Sequence, residues 1–237
     1  EWTHSVQDAA GLVRDFVKWD DQPASLQHFA ESAARAWKVT MTAPMEPVML
    51  MCDIELQEDA MHGPRPRIPK LTRPSQPQGD TAALREAAKL LVAAEKPLII
   101  ADRACRSQQG VRLMVELAEA LGAAVVDNGW RTNFPSTHDL ELTSLRQSLV
   151  RDADVILLLE VNDPWGNLNS FSDPYKTQRP NTRPDAKIIN ISMQEVYLKS
   201  NYQDIQRFMP SDLAIGGDPE ATLPDLIDSV KRAMTPE

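Results

Sequence analysis

The sequence contains no glycine-rich phosphate loop. Neither GxxxxGKS/T nor GxGxxG occurs in the 237 residues, which excludes the run of backbone N–H donors that cradles a phosphate in those motifs. No GxSxG elbow and no HExxH pair is present, so the serine hydrolases and metalloproteases marked by those motifs are excluded too. Cysteine is scarce: Cys52 and Cys105 lie far apart, with no CxxC neighbour and no histidine at metal-ligand spacing. That argues against a zinc site and for two reduced, mostly buried thiols in a cytoplasmic protein. Positive charge is also short, with 25 Lys and Arg against 34 Asp and Glu and a net charge of −9. A phosphate-neutralising surface needs the opposite balance, so no nucleic-acid partner is expected. The thin basic group Arg65, Arg67, Lys70 and Arg73 stands among prolines and reads as an extended linker rather than an anion site. No apolar run approaches the roughly 20 residues of a membrane span. No signal peptide is visible, and the chain starts abruptly at Glu1-Trp2-Thr3-His4, as a piece of something longer would.

What is present is a core-forming composition, 42% hydrophobic and 25% charged, arranged as alternating helix and strand. Residues 1–59 form a first unit. Ser25 is placed to cap a helix in which Leu26, Phe29, Ala30, Ala33 and Trp37 recur, and Pro47–Met51 reads as a buried strand. One helix and one strand close no core alone, so this segment must pack on something else. Residues 60–80 carry prolines at 64, 66, 69, 74 and 77 and read as a semi-rigid linker. From residue 81 to 237 the pattern is that of a doubly wound, Rossmann-like α/β domain. Asp80 caps a helix with Leu84, Ala87, Ala88 and Leu91 inward, and the strand 97–101 follows. A helix from Val111 ends at Gly122 before the strand 123–127. A short helix near 141–151 precedes the most apolar strand, 154–160, and two more strands lie at 187–191 and 212–216. A last helix carries Leu223, Leu226, Ile227 and Val230. Continuous apolar strands with helical crossovers mean a parallel sheet covered on both faces.

Turns after parallel strands are where ligands bind in such sheets. After the strand 97–101 the turn is Asp102-Arg103-Ala104-Cys105-Arg106, with no glycine until Gly110. Arg103 or Arg106 offers a partner for a phosphate near a helix N-terminus. Cys105 between two arginines reads either as a reactive thiol or, more simply, as a structural one. Asn128 follows the next strand. The segment 161–185 reads as a long polar loop, with Asn162, Asp163, Trp165 and Asn167 as ligand contacts or as turn and interface residues. Gly216-Gly217-Asp218 admits a nucleotide or merely makes a turn and a cap. The candidate cofactor-binding residues are therefore Arg103, Asn128, Asn162, Gly217 and Asp218, with no catalytic or metal-ligating residue identified. His28, His62 and His138 read as surface or capping residues.

The order of these features resembles the thiamine-diphosphate-dependent enzymes of the acetolactate synthase type. "TMTAPMEPVMLMCDIELQED" (40–59) is similar to the closing passage of their pyrimidine-binding domain. "LLVAAEKPLIIADRA" (90–104), "ADVILLLEVND" (153–163) and "SDLAIGGDPEATLPDLI" (211–227) resemble three parts of their central domain. The resemblance implies a fragment or subunit of a 2-oxo-acid decarboxylase or carboligase, with a central domain that acts mainly as a scaffold. It implies thiamine diphosphate and Mg²⁺ for the complete enzyme. The family's activating glutamate and its Gly-Asp-Gly…Asn motif have no counterpart here, so this chain is not expected to catalyse alone. Some relatives hold FAD through glycines after the first central strand; Asp102-Arg103-Ala104 departs from that pattern and argues against FAD. The implied partners are further copies or the chains carrying the missing parts. A nucleotide-binding (FAD or ADP) or interaction module is the alternative.

Overall fold

The computed structural model describes residues 6–172, 174–194 and 207–235, and the chain divides into two compact units, Glu1–Gln76 and Pro77–Glu237. In the first unit β1 (Trp19–Asp21) and β2 (Val48–Leu50) pair in parallel across α1 (Leu26–Thr40), and α2 (Ile54–Glu58) follows. Ser25 caps α1 by accepting the His28 N–H at 3.2 Å. The apolar positions of α1 do not all turn inward: Leu26 and Phe29 remain 36% and 37% exposed. The buried positions are Ser32 and Ala36, and the Ser32 hydroxyl donates to Asp21 Oδ2. Lys18 is buried and its Nζ donates to the carbonyls of Val39, Thr42 and Pro44 at 3.2, 2.7 and 2.9 Å. One ammonium thereby closes the carboxyl end of α1. Residues 60–76 contain no helix or strand; Gln27 holds Arg67 through two hydrogen bonds, and Gln76 bridges the Ala43 N–H and the Met41 carbonyl.

The second unit is a five-stranded, all-parallel sheet between two layers of helix. Its elements are α3 (Thr81–Ala93), β3 (Pro97–Ala101), α4 (Gln108–Leu121), β4 (Ala124–Asp127), α5 (Arg146–Asp152), β5 (Val155–Leu159), α6 (Pro164–Leu168), β6 (Asn169–Ser172), β7 (Thr177–Pro180), β8 (Lys187–Ser192), β9 (Leu213–Gly216) and α7 (Pro219–Met234). The sheet order is β4-β3-β5-β8-β9. Alternate residues of each strand face opposite layers. Ile99, Val125, Leu157, Ile189 and Ile215 pack with α3, α4 and α7, whereas Leu98, Ile100, Val126, Ile156 and Leu158 pack with Val150 of α5 and Leu168 of α6. All five residues of β5 are buried, which is why that strand reads as an unbroken apolar run. Gly122 ends α4 with φ 59, a left-handed cap that glycine adopts without a Cβ penalty. The segment 161–185 is not one long loop. Asp163 caps α6 through the Gly166 N–H at 2.9 Å, and β6 and β7 form an antiparallel hairpin.

Candidate functional site

The chain passes from β3 outward to β4 and then returns to β5 on the other side of β3. That reversal of order opens a crevice at the carboxyl ends of β3 and β5, where open α/β sheets bind ligands. Asp102 and Arg103 leave β3 there, and Glu160 to Asp163 leave β5. Asp102 is 1% exposed; its Oδ2 accepts the Asn162 N–H at 2.9 Å, while Oδ1 has no partner of good geometry. Burial pushes its carboxyl up, and the Asn162 N–H, the Arg103 charge and a nearby Asn128 amide pull partly the other way. Arg103 extends over the exposed Trp130 ring, 5.8 Å from its centroid, and reaches Asn162 Oδ1 at 3.4 Å. Asn128 accepts a hydrogen bond from the Arg146 guanidinium and donates its N–H to the Ala101 carbonyl at 2.9 Å. Arg103, Asn128 and Asn162 thus gather around one buried carboxylate.

Gly217 and Asp218 take a different part. A Cβ on Gly217 would lie 2.6 Å from the Gly79 nitrogen, so this glycine serves a close approach of two backbones. Asp218 caps α7 through the Ala221 N–H at 2.9 Å and grips the Arg106 guanidinium with both oxygens. The pair is well buried, with side chains 16% and 4% exposed. Burial alone would lower the Arg106 pKa; Asp218 and the neighbouring Glu220 and Glu160 outweigh it and leave it raised.

The N-terminus of α4 holds an internal anion. Glu220, in the first turn of α7, accepts the Arg106 and Ser107 N–H groups and the Ser107 hydroxyl, the last at 2.8 Å. Gly110 makes room for it, since a Cβ there would lie 2.4 Å from Glu220 Oε2. A carboxylate therefore stands where helix geometry favours a phosphate. An open cavity of about 540 Å³ adjoins this point, lined by Arg106, Ser107, Gln108, Val111, Arg131 and Thr132.

Cys105 is 3% exposed and its thiol is pushed up to about 12 by burial, with Glu220 and Asp127 adding to the effect of burial against Arg106 and Arg131. The two arginines do not make it reactive; its N–H donates to Asn133 Oδ1 at 3.0 Å and its Sγ faces the Asn133 carbonyl. Asn133 is fully buried and also donates Nδ2 to the Asp102 carbonyl, Asp127 and the Arg131 carbonyl. It fastens the loop after β4 to the turn after β3. His28 and His138 each accept a nearby backbone N–H through Nδ1, from Ala24 and Leu140. Trp165 is buried, with the Arg207 guanidinium 5.7 Å from its ring centroid.

The residue that sequence reasoning passed over is Glu160. It closes β5 with a left-handed backbone, φ 48, is 7% exposed, and accepts the Met193 N–H at 2.9 Å. Burial raises its carboxyl to about 7; Asp218 adds to the rise, while the Met193 N–H, the Ser192 hydroxyl and Arg103 oppose it. A charge ending the most apolar strand was the one signal available for it. Among the described residues, no group of three or more His, Cys, Asp or Glu side chains is arranged to hold a metal ion, and no helix is long and apolar enough to cross a membrane.

Comparison with known proteins places this architecture. The family model described as thiamine pyrophosphate enzyme, central domain, matches residues 84–226, more than half the chain. Sulfoacetaldehyde acetyltransferase from Roseovarius nubinhibens is 32% identical over 136 residues, covering 53% of this chain and 21% of that protein. Benzoylformate decarboxylase from Polynucleobacter necessarius superposes with a TM-score of 0.73 at 19% identity, over 97% of this chain and 42% of that one. A Mycobacterium smegmatis protein assigned as thiamin diphosphate-dependent gives 0.70 at 19% identity, over 94% and 41%. The chain spans about a fifth of the acetyltransferase and about two-fifths of the two solved structures, and at 19% identity the latter carry the fold. The family match and the switch-point sheet agree, and the chain belongs to the thiamine pyrophosphate enzyme family through its central domain.

Proposed function

We propose that this chain supplies the closing segment of a pyrimidine-binding domain (1–59), a proline-rich linker (60–80) and the central domain (81–237) of an enzyme acting on 2-oxo acids. Decarboxylation or carboligation of the acetolactate synthase type is the reaction class, and the central domain serves mainly as a scaffold. Family membership implies thiamine diphosphate for the complete enzyme. The described residues do not fit that cofactor with its divalent ion. The N-terminus of α4 already holds Glu220, Asp218 is engaged by Arg106, and among the described residues no metal-ligating group is assembled. The cofactor and Mg²⁺ would be held by other parts of the enzyme, and no chemical step is assigned to residues of this chain. Its partners would be further copies of the chain or chains carrying those parts, in the cytoplasm.

The observation that carries the scaffold reading is the self-filled crevice. Arg106, the α4 N-terminus and Gly217 are occupied by Asp218, Glu220 and Gly79. Calorimetric titration of the chain with FAD, ADP, CoA and thiamine diphosphate plus Mg²⁺ tests it. No saturable heat at millimolar ligand is expected. Micromolar binding of FAD or ADP would replace the scaffold with a nucleotide-binding module, which the cavity beside Arg131 and Thr132 would then accommodate.

A further inference from the structure

Glu160 occupies a position that a glycine would fill without strain. Its φ of 48 is left-handed, a conformation that a long side chain adopts only where its surroundings impose it. The residue is bonded on three sides. Its N–H donates to the Ile191 carbonyl at 2.9 Å, its carbonyl accepts the Arg103 N–H at 3.4 Å, and its carboxyl accepts the Met193 N–H at 2.9 Å. Those contacts join the turn after β3, the end of β5 and the end of β8 at one point of the switch-point crevice.

We propose that Glu160 is a proton-operated latch: its neutral carboxyl holds the ends of β3, β5 and β8 together, and its ionisation favours their local opening. The charged and polar groups that face it come from every neighbouring element. Asp218 stands on the turn into α7, Arg103 and Arg106 on the turn after β3, and Arg131 on the loop after β4. The Ser192 hydroxyl and the Met193 N–H approach from β8. Asp218 is already committed to Arg106 in a bidentate pair, and Arg103 is shared between Asn162 and Trp130. Arg131 donates to the Arg103 carbonyl at 3.0 Å, so each neighbouring guanidinium has another partner; burial outweighs their pull on the second carboxylate of this group, and the proton is its counter-charge.

The direction of the effect follows from linkage. The closed latch holds its proton to about pH 7, against an ordinary value of 4.5. An opened, hydrated Glu160 releases that proton at the ordinary value. Opening therefore releases a proton between those limits, becomes more frequent as pH rises through them, and levels off above. The expected rise in opening is about seventy-fold between pH 5 and pH 8.

Hydrogen exchange of the full chain, corrected for intrinsic rates and followed by mass spectrometry from pH 5 to pH 8, reads this opening. The peptides covering 102–106 and 188–194 should show the rise in the native chain. Glu160→Gln, which keeps the acceptor for Met193, should show none. A flat native profile overturns the proposal. So does a rise that persists in Glu160→Gln, which would assign the proton to Asp102. A carbon-13 carboxyl titration of Glu160 in the native chain tests the same point without a variant: a midpoint near 7 supports the latch and one below 5.5 overturns it.

Discussion

The Arg106–Asp218 pair makes the sharpest prediction about what holds the second unit together. Arg106 comes from the turn after β3 and Asp218 from the turn into α7, and their side chains are 16% and 4% exposed. Replacing Arg106 by methionine keeps the bulk of the side-chain stem and deletes the cation. Asp218 is then left buried with only its capping bond to the Ala221 N–H. Removing one partner of a buried pair costs about 3 to 5 kcal/mol, because an uncompensated charge remains in a poorly solvated place. Arg106 retains some access to water, so the lower end, about 3 kcal/mol, is expected. Native-state hydrogen exchange of the β3 and β5 core amides, Leu98–Ile100 and Ile156–Leu158, reports the global stability of this unit. Protection there should fall by roughly two decades in Arg106→Met. Asp218→Asn keeps the capping oxygen and removes the charge, so the double variant should recover about 2 kcal/mol relative to the sum of the singles. If Arg106→Met stayed within about 0.5 kcal/mol of the native chain, or if the two changes were additive, the buried pair would not be what ties α7 to the β3 turn.

Three further outcomes follow from single contacts. Lys18→Met should destabilise the first unit by about 2 kcal/mol or more, since three carbonyls lose a charged donor; faster exchange at the carboxyl end of α1, with the second unit unchanged, is the readout. Gly217→Ala must push its new methyl against the Gly79 backbone and should cost about 1 to 3 kcal/mol, measured by thermal unfolding. Cys105 should resist iodoacetamide at pH 8 in the folded chain. With its thiol pushed up to about 12, the thiolate fraction there is on the order of 10⁻⁴. Cys52, which is only partly buried, should label first, and equal labelling of both thiols in the native state would refute the structural assignment of Cys105.

The sheet was legible because its signals are local. β5 is buried on both faces and reads as five consecutive apolar residues. Asp80, Gly122 and Asp218 mark helix ends by chemistry confined to two or three neighbouring residues. The α6 turn and the β6–β7 hairpin were hidden, since each is five residues or fewer and polar, and their composition matches an ordinary loop. The inward face of α1 was hidden for another reason. Ser32 turns inward to meet Asp21, eleven residues earlier, a partnership that no helical period contains. The candidate site divides along the same line. Arg103 and Asn162 were visible as polar residues following strands, and the fold brings them within hydrogen-bond reach of each other.

What remained invisible is that the crevice supplies its own counter-ions from more than a hundred residues away. Arg106 meets Asp218 across 112 positions, and Ser107 meets Glu220 across 113. In the sequence, Asp218-Pro219-Glu220 is only a good helix start, and Arg103 and Arg106 are only a pair of cations awaiting an anion. Every pairing in the sheet is parallel, so β9, although it is the edge strand farthest from β4, delivers the start of α7 to the same carboxyl end as the β3 turn, and contact follows from topology rather than from local pattern. Three consequences converge on that end of the sheet. The anion-favouring end of α4 is filled by a carboxylate, the guanidinium beside it is paired with Asp218, and the buried Glu160 carboxyl has no guanidinium committed to it alone. Burial is the main reason the Glu160 carboxyl is pushed up, and the Asp218 charge adds to it. Any change that frees Arg106 from Asp218 should therefore also lower the pH at which Glu160 loses its proton, because the released cation becomes available to the ionised carboxylate.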